Sequence, residues 1–190
     1  MNHEPEDLWV NYAWPNIPWV RINLVVDSQG EIRGSDGTSN PLSSKTDREI
    51  LKTIRRDAEI IIVGANSVRS EGWHLPPNGT LGIVSRTRHV LETCPDPERV
   101  IVGSLDEILD HSLKFQHVLC EGGKFVAGEL LARDFADEIC LTINLSDVAE
   151  EPKLPTWMSA VSPRMWTLHR AIGDDAQAFT IWRRATSEPL

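Results

Sequence analysis

The chain has 190 residues, 41% hydrophobic and 25% charged, a balance that suits one soluble domain with length enough for a real core. A formal net charge of -9 argues against a nucleic-acid or anionic-membrane surface, which needs clustered Lys and Arg. The longest strongly apolar run, Ile60 to Ala65, is far too short to span a bilayer, and the polar, acidic start carries no apolar signal core, so the expected location is cytoplasmic.

Met1 to Pro18 is polar, rich in Trp, Pro and Asn, and aperiodic; it reads as an N-terminal arm whose Trp9 and Trp14 pack on the domain or on a partner subunit. Residues 19–190 read as the domain itself. Trp19 to Val26 predicts a first strand, and Asp27 to Asn40, broken by three glycines, a loop. Ser43 or Ser44 can cap a helix that runs to about Asp57, with Ile50, Leu51 and Ile54 as its buried stripe and Arg48, Arg55 and Arg56 as candidates for a solvated face. Glu59 to Val63 is aliphatic throughout, the pattern of a parallel strand buried on both faces. It ends in Gly64-Ala65-Asn66-Ser67, with a short helix expected over Val68 to Glu71.

Leu81 to Val84 and Arg99 to Val102 predict two more strands, the first ending in Ser85-Arg86. Ser104 opens an amphipathic helix to Leu113, and Ala136 to Ile143 is a further strand. Ser146 to Ser162, acidic and then Pro- and Trp-containing, reads as a long loop, and Met165 to Ala171 and Ala178 to Arg184 as two closing strands. This alternation predicts a three-layer α/β domain with a mostly parallel sheet and an antiparallel C-terminal edge.

His117 to Ala132 is the stretch around which these elements are organised. A short apolar strand stops at Glu121, two glycines follow, and a helical pattern begins with Phe125 and Val126, with Gly128 as a slim position. Such a turn leaves backbone N–H groups free at a helix N-terminus, where the dipole favours a phosphate, and Gly122 and Gly123 let a pyrophosphate lie close to the main chain. Glu121 puts a carboxylate at a strand's carboxyl end, where α/β folds bind ligands. Three strands end in turns of this kind, which at one sheet edge form a cleft that fits a dinucleotide, although the G-x-G-x-x-G fingerprint is absent. Three cysteines and six scattered histidines form no metal motif.

The segments RINLVVDSQG, LSS, IIIVGANSVRSE, IVSR, VLCEGGKFVAGELL and DEICLTI, in this order, resemble the reductase domain of the bacterial riboflavin-biosynthesis deaminase–reductases, in its stand-alone form. The resemblance implies a dihydrofolate-reductase-like fold and NADPH-dependent reduction of a phosphorylated aminopyrimidine, 5-amino-6-(5-phosphoribosylamino)uracil. It implies that Val25, Gly64, Ala65, Asn66, Ser67, Glu71, Gly122, Gly123, Lys124, Phe125, Val126 and Gly128 contact NADPH, with Ser85 and Arg86 beside the adenosine 2′-phosphate. Ser39, Arg55 and Glu121 match positions that hold the substrate's ribose phosphate.

Hydride transfer benefits from a protonatable group near the acceptor, and Asp27 and Glu121 are the positional candidates, with a turn-initiating role for Asp27 an equal alternative. The chain departs from the family's S-x-D-G with Asp27-Ser28-Gln29-Gly30, and its 71–78 segment lacks the arginine usual for the substrate phosphate. Its Ser146-Asp147-Val148 also replaces the family's Gly-rich step. Three readings stay open: the riboflavin-pathway reductase, a reductase of another pterin- or pyrimidine-like ring, or a non-catalytic NADPH-binding relative. A homodimer is expected from the Trp-bearing arm and the closing strands with Trp166 and Trp182.

Overall fold

The computed structural model describes residues 11–145, 151–173 and 176–185. Its strands are β1 (Trp19–Val26), β2 (Ile60–Gly64), β3 (Thr80–Val84), β4 (Val100–Gly103), β5 (His117–Cys120), β6 (Glu138–Asn144), β7 (Trp166–Gly173) and β8 (Gln177–Arg184). They form one sheet in the order β4-β3-β2-β5-β1-β6-β8-β7. The first six run parallel, and β8 pairs antiparallel with both β6 and β7, the edge expected from the closing strands. The helices are α1 (Lys45–Arg56), α2 (Ala65–Glu71), α3 (Leu105–Ser112), α4 (Lys124–Ala132) and α5 (Thr156–Val161).

Alternation along the central strands divides the core in two. Ile60 and Ile62 of β2 join α3, α4 and α5 through Ile108, Leu130 and Met158. Ile61 and Val63 face the other way, onto Ile50 and Ile54 of α1 and Val68 of α2. Burying each such side chain stabilises the fold by about 1.5–3 kcal/mol. This is why an unbroken aliphatic run, not an alternating one, marks the middle of the sheet.

Helix starts follow their caps. The Ser44 side chain accepts the Asp47 backbone N–H at the start of α1, and Ser104 and Glu107 form a reciprocal capping box on α3. Helix α2 begins at Ala65, directly after Gly64, three residues earlier than the sequence suggested, so Asn66 and Ser67 sit in its first turn. The predicted 146–162 loop is corrected in its later part: Thr156–Val161 is helical, entered from Pro155, with Met158 fully buried. Six residues are too few to display a helix period, and the flanking prolines read as irregular chain. Residues 146–148 lie outside the described residues.

The arm's described part is bound tightly to the sheet. Tyr12 is buried, which pushes its phenol pKa well up, and the Trp14 indole N–H donates to the Ile54 carbonyl at 3.0 Å. Arg21 of β1, 1% exposed, donates to the Tyr12 carbonyl at 2.9 Å and to Glu138 at 2.7 Å. Arg183 occupies the other Glu138 oxygen at 2.9 Å, and the Trp14 ring covers the Arg21 guanidinium at 4.3 Å. Trp9 lies outside the described residues.

Candidate functional site

Strands β3, β2 and β5 are parallel neighbours, so their carboxyl ends lie side by side. Ser85-Arg86, Gly64 to Ser67 and Glu121 to Gly123 are thereby brought to one edge of the sheet, where open α/β sheets take ligands. Helices α1 and α3 carry serine caps, whereas Gly64 and Gly123 cap α2 and α4 without any side-chain bond. The first N–H groups of α2 and α4 therefore point outward with no intrahelical partner.

The two glycines of the β5–α4 turn differ in role. A Cβ on Gly122 would stand 2.5 Å from the Val126 Cβ, so glycine there is a packing requirement. At Gly123 the added atom would meet only the Ile32 Cδ1, at 3.2 Å, and the backbone φ of −61° suits any residue. Space above Gly123, not strain, is what that glycine preserves. Gly128 has nothing within 4 Å of its Cβ position, leaving one face of α4 open. Ala65 and Val126 are buried, Ser67 and Lys124 half-buried, and Asn66, Arg86 and Phe125 exposed.

Beside these turns a cavity of about 310 Å³ opens between β1, α1 and the ends of β2 and β5. Of the residues singled out from sequence, Val25, Ser39, Arg55, Ser67, Glu71, Glu121 and Gly123 line it. Gly64, Ala65, Asn66, Ser85, Arg86, Gly122, Lys124, Phe125, Val126 and Gly128 lie outside its lining, on the adjoining turns and α4.

Arg55 and Glu121 meet across 66 residues of sequence in a two-pronged pair, Nε to Oε1 at 2.7 Å and Nη2 to Oε2 at 2.5 Å. Burial opposes the Arg55 charge, but the hydrogen-bonded Glu121 and nearby Glu71 hold its pKa above the usual value. With both Glu121 oxygens accepting from Arg55, the pair is suited to shaping the cavity floor more than to giving up a proton.

Asp27 stands apart from the lining. Its Oδ1 accepts the backbone N–H groups of Gln29 at 2.9 Å and Glu31 at 2.8 Å, which makes it the anchor of the turn after β1. That turn passes through Gly30 at φ +80°, packed against Pro155, while the Trp157 indole donates to the Gly30 carbonyl at 3.0 Å. Farther on, the Ser39 N–H donates to Glu71 at 3.1 Å, and Lys124 pairs with Glu31 at 2.7 Å. These contacts fold the 27–44 loop across the cavity.

The sequence reading missed several lining residues: Asp47, Arg48 and Lys52 on α1, and Ile32 and Arg33 on the loop. Arg48, Lys52 and Arg55 recur at four- and three-residue spacing on one stripe of α1, a signal that assigning Arg48 to solvent overlooked. The Arg33 and Arg48 guanidinium groups have no ion-pair or hydrogen-bond partner among the described residues. Cys120 is no nucleophile, since burial pushes its thiol up to about 12. Among the described residues no cluster of His, Cys, Asp or Glu could hold a metal ion, and no helix is long and apolar enough to cross a membrane.

No family model matches the chain, and no curated protein matches it by sequence. Solved structures do. A pyrimidine reductase-like protein from Corynebacterium diphtheriae superposes with a TM-score of 0.66 at 20% identity, covering 90% of this chain and 93% of that one. The deaminase/5-amino-6-(5-phosphoribosylamino)uracil reductase of Thermotoga maritima gives 0.67 at 19% identity, with 94% of this chain on 60% of that one. Dihydrofolate reductase from Enterococcus faecalis, complexed with NADP(H), gives 0.63 at 18% identity over 88% of this chain and 96% of that one. The sheet order, the antiparallel edge and these superpositions together give the chain the dihydrofolate-reductase-like fold that pyrimidine reductases share.

Proposed function

We propose that this chain is an NADPH-dependent reductase acting on a pyrimidine-like ring, with a reaction like that of 5-amino-6-(5-phosphoribosylamino)uracil reductase. The observation that carries the reading is the pair of uncapped, glycine-led helix starts beside a cavity of about 310 Å³. That volume lies at the small end of ligand pockets, roughly 300–1,000 Å³, and suits one heterocycle with a short tail.

In this reading the α4 N-terminus and the Gly122-Gly123 turn hold the pyrophosphate, with Gly64 to Ser67 and Glu71 beside it. The Val25 backbone faces the nicotinamide amide, and Arg86 pairs with the 2′-phosphate. NADPH supplies the hydride. The protein holds donor and acceptor carbons together, and the 27–44 loop excludes water from the space between them.

The substrate phosphate needs cations that are not already engaged. Arg55 is committed to Glu121 and Lys52 pairs with Glu49 at 2.8 Å, whereas the Arg33 and Arg48 guanidinium groups have no partner among the described residues. We assign the phosphate to Arg33 and Arg48, which offset the arginine missing from the 71–78 segment. The engagement of Arg55 also favours the second reading, a reductase of another pterin- or pyrimidine-like ring without a phosphate. Arg48→Ala separates the two: it raises the apparent KM only for a phosphorylated substrate.

The cofactor assignment is tested by calorimetry with NADPH and NADH. Arg86→Ala should weaken NADPH by about 1.5–3 kcal/mol, roughly 10- to 150-fold, and leave NADH nearly unchanged. Equal losses for both cofactors would remove Arg86 from the 2′-phosphate site.

We also propose a cytoplasmic homodimer. Strand β7 is exposed along most of its length at the sheet edge, with Leu168 at 41% and the preceding Met165 at 80% exposure. Light scattering should give twice the chain mass, and a monomer at high concentration would contradict the assignment.

A further inference from the structure

His117 opens β5, and both of its ring nitrogens lie against carbonyl oxygens. Nδ1 stands 3.1 Å from the Asp57 carbonyl and Nε2 3.0 Å from that of Pro15. Pro15 belongs to the N-terminal arm and Asp57 is the C-cap of α1, so the ring bridges two separate segments. The Trp14 ring stacks on the imidazole, with centroids 4.9 Å apart. Its indole N–H donates to the Ile54 carbonyl in the last turn of α1, which completes the seat of the arm.

A carbonyl oxygen only accepts, and a neutral imidazole carries one N–H. The neutral ring can therefore bond Pro15 or Asp57, and it must turn a lone pair on the other. The imidazolium donates to both, and a cation is also favoured against the Trp14 ring. Charged neighbours from α1, β1 and β2 leave the two carbonyls to decide. Arg56 pairs with Asp57 at 3.1 Å, Glu49 with Lys52 at 2.8 Å and Arg21 with Glu138 at 2.7 Å. Glu59, whose backbone N–H donates to the His117 carbonyl, turns its carboxylate to the Gln116 N–H at 2.6 Å. Tyr12, on the arm itself, stays neutral because burial pushes its phenol up.

We infer that His117 is a proton-operated clasp for the N-terminal arm. Doubly protonated, it fastens Pro15 to the end of α1; with one proton it lets one of the two carbonyls go. Since the seated arm holds the extra proton, the clasp is complete below the ordinary imidazole value of about 6.5 and is lost as the ring gives up that proton above it. Trp14 holds Ile54, the residue before Arg55, so the clasp steadies the end of α1 from outside the ligand cavity. It uses no residue of the cofactor turns and stands independently of the reductase reading.

The test follows the Trp14 indole N–H by NMR on the full chain, with Trp14→Phe identifying its signal. Exchange of this N–H with water is compared between wild type and His117→Gln at about pH 5.5 and about pH 8, on either side of the imidazole range. Taking the ratio at each pH removes the ordinary pH dependence of exchange. The wild type should exchange about tenfold more slowly than the variant at the lower pH, and about equally at the higher. A ratio that does not change with pH would overturn the clasp and leave His117 a packing residue. If His117→Gln does not fold, the wild type decides alone. Nitrogen NMR spectra of the ring should then lose the second His117 N–H in step with a fall in Trp14 protection, measured against the other tryptophan indoles. Loss of that proton with Trp14 still protected, or no change in the ring across the range, would contradict the inference.

Discussion

Gly123→Val is expected to weaken NADPH about 100-fold, roughly 2.7 kcal/mol, with little change in the thermal midpoint of the free protein. The backbone at Gly123 has an ordinary φ, and the added carbon meets only the mobile end of Ile32. The branched side chain therefore occupies the space over the α4 N-terminus without disturbing the core. Gly122→Ala should behave in the opposite way. Its methyl would collide with the Val126 side chain in the sheet–helix interface, so it should cost about 1–3 kcal/mol of stability. Calorimetry with NADPH and thermal melts on both variants separate the two. Normal NADPH binding by Gly123→Val would make the turn a purely structural one.

The largest loss of stability is expected from Glu138→Ala. Its two oxygens hold Arg21 and Arg183, and Arg21, 1% exposed, also carries the carbonyls of Tyr12 and Ala13. Removing the carboxylate strands a buried guanidinium and loosens the seat of residues 12–14, at a cost of about 3–5 kcal/mol. For a chain of this size that corresponds to a midpoint lowered by roughly 6–20 °C. Urea unfolding followed by tryptophan fluorescence would read it directly. A change below about 1 kcal/mol would show that solvent or a neighbouring group replaces Glu138.

What was legible in the sequence follows from range. The aliphatic run of β2 and the strand–glycine–helix step at Gly122 are local patterns, and the structure has both where the residues put them. That three such turns lie side by side depends on β5 inserting between β2 and β1, which follows from sheet order and not from any one segment. The Arg55–Glu121 pair joins residues 66 apart, and no spacing rule announces it.

Asp47 lines the cavity although nothing in its local sequence marks it, since that cavity is walled jointly by α1 and the 27–44 loop. Asp27 shows the converse. Its position after β1 suggested chemistry, but a short Asp before a glycine is also the ordinary anchor of a turn, and its hydrogen bonds to Gln29 and Glu31 are those of an anchor.

The measurement closest to the central claim is turnover itself. The chain is mixed with NADPH and 5-amino-6-(5-phosphoribosylamino)uracil, cofactor oxidation is followed by absorbance, and the product is examined by mass spectrometry. Substrate-dependent oxidation with two hydrogens added to the product is the predicted result. Tight NADPH binding with no oxidation above background, for this compound and for unphosphorylated pterin- or pyrimidine-like rings, would contradict it and leave a cofactor-binding protein without reductase activity.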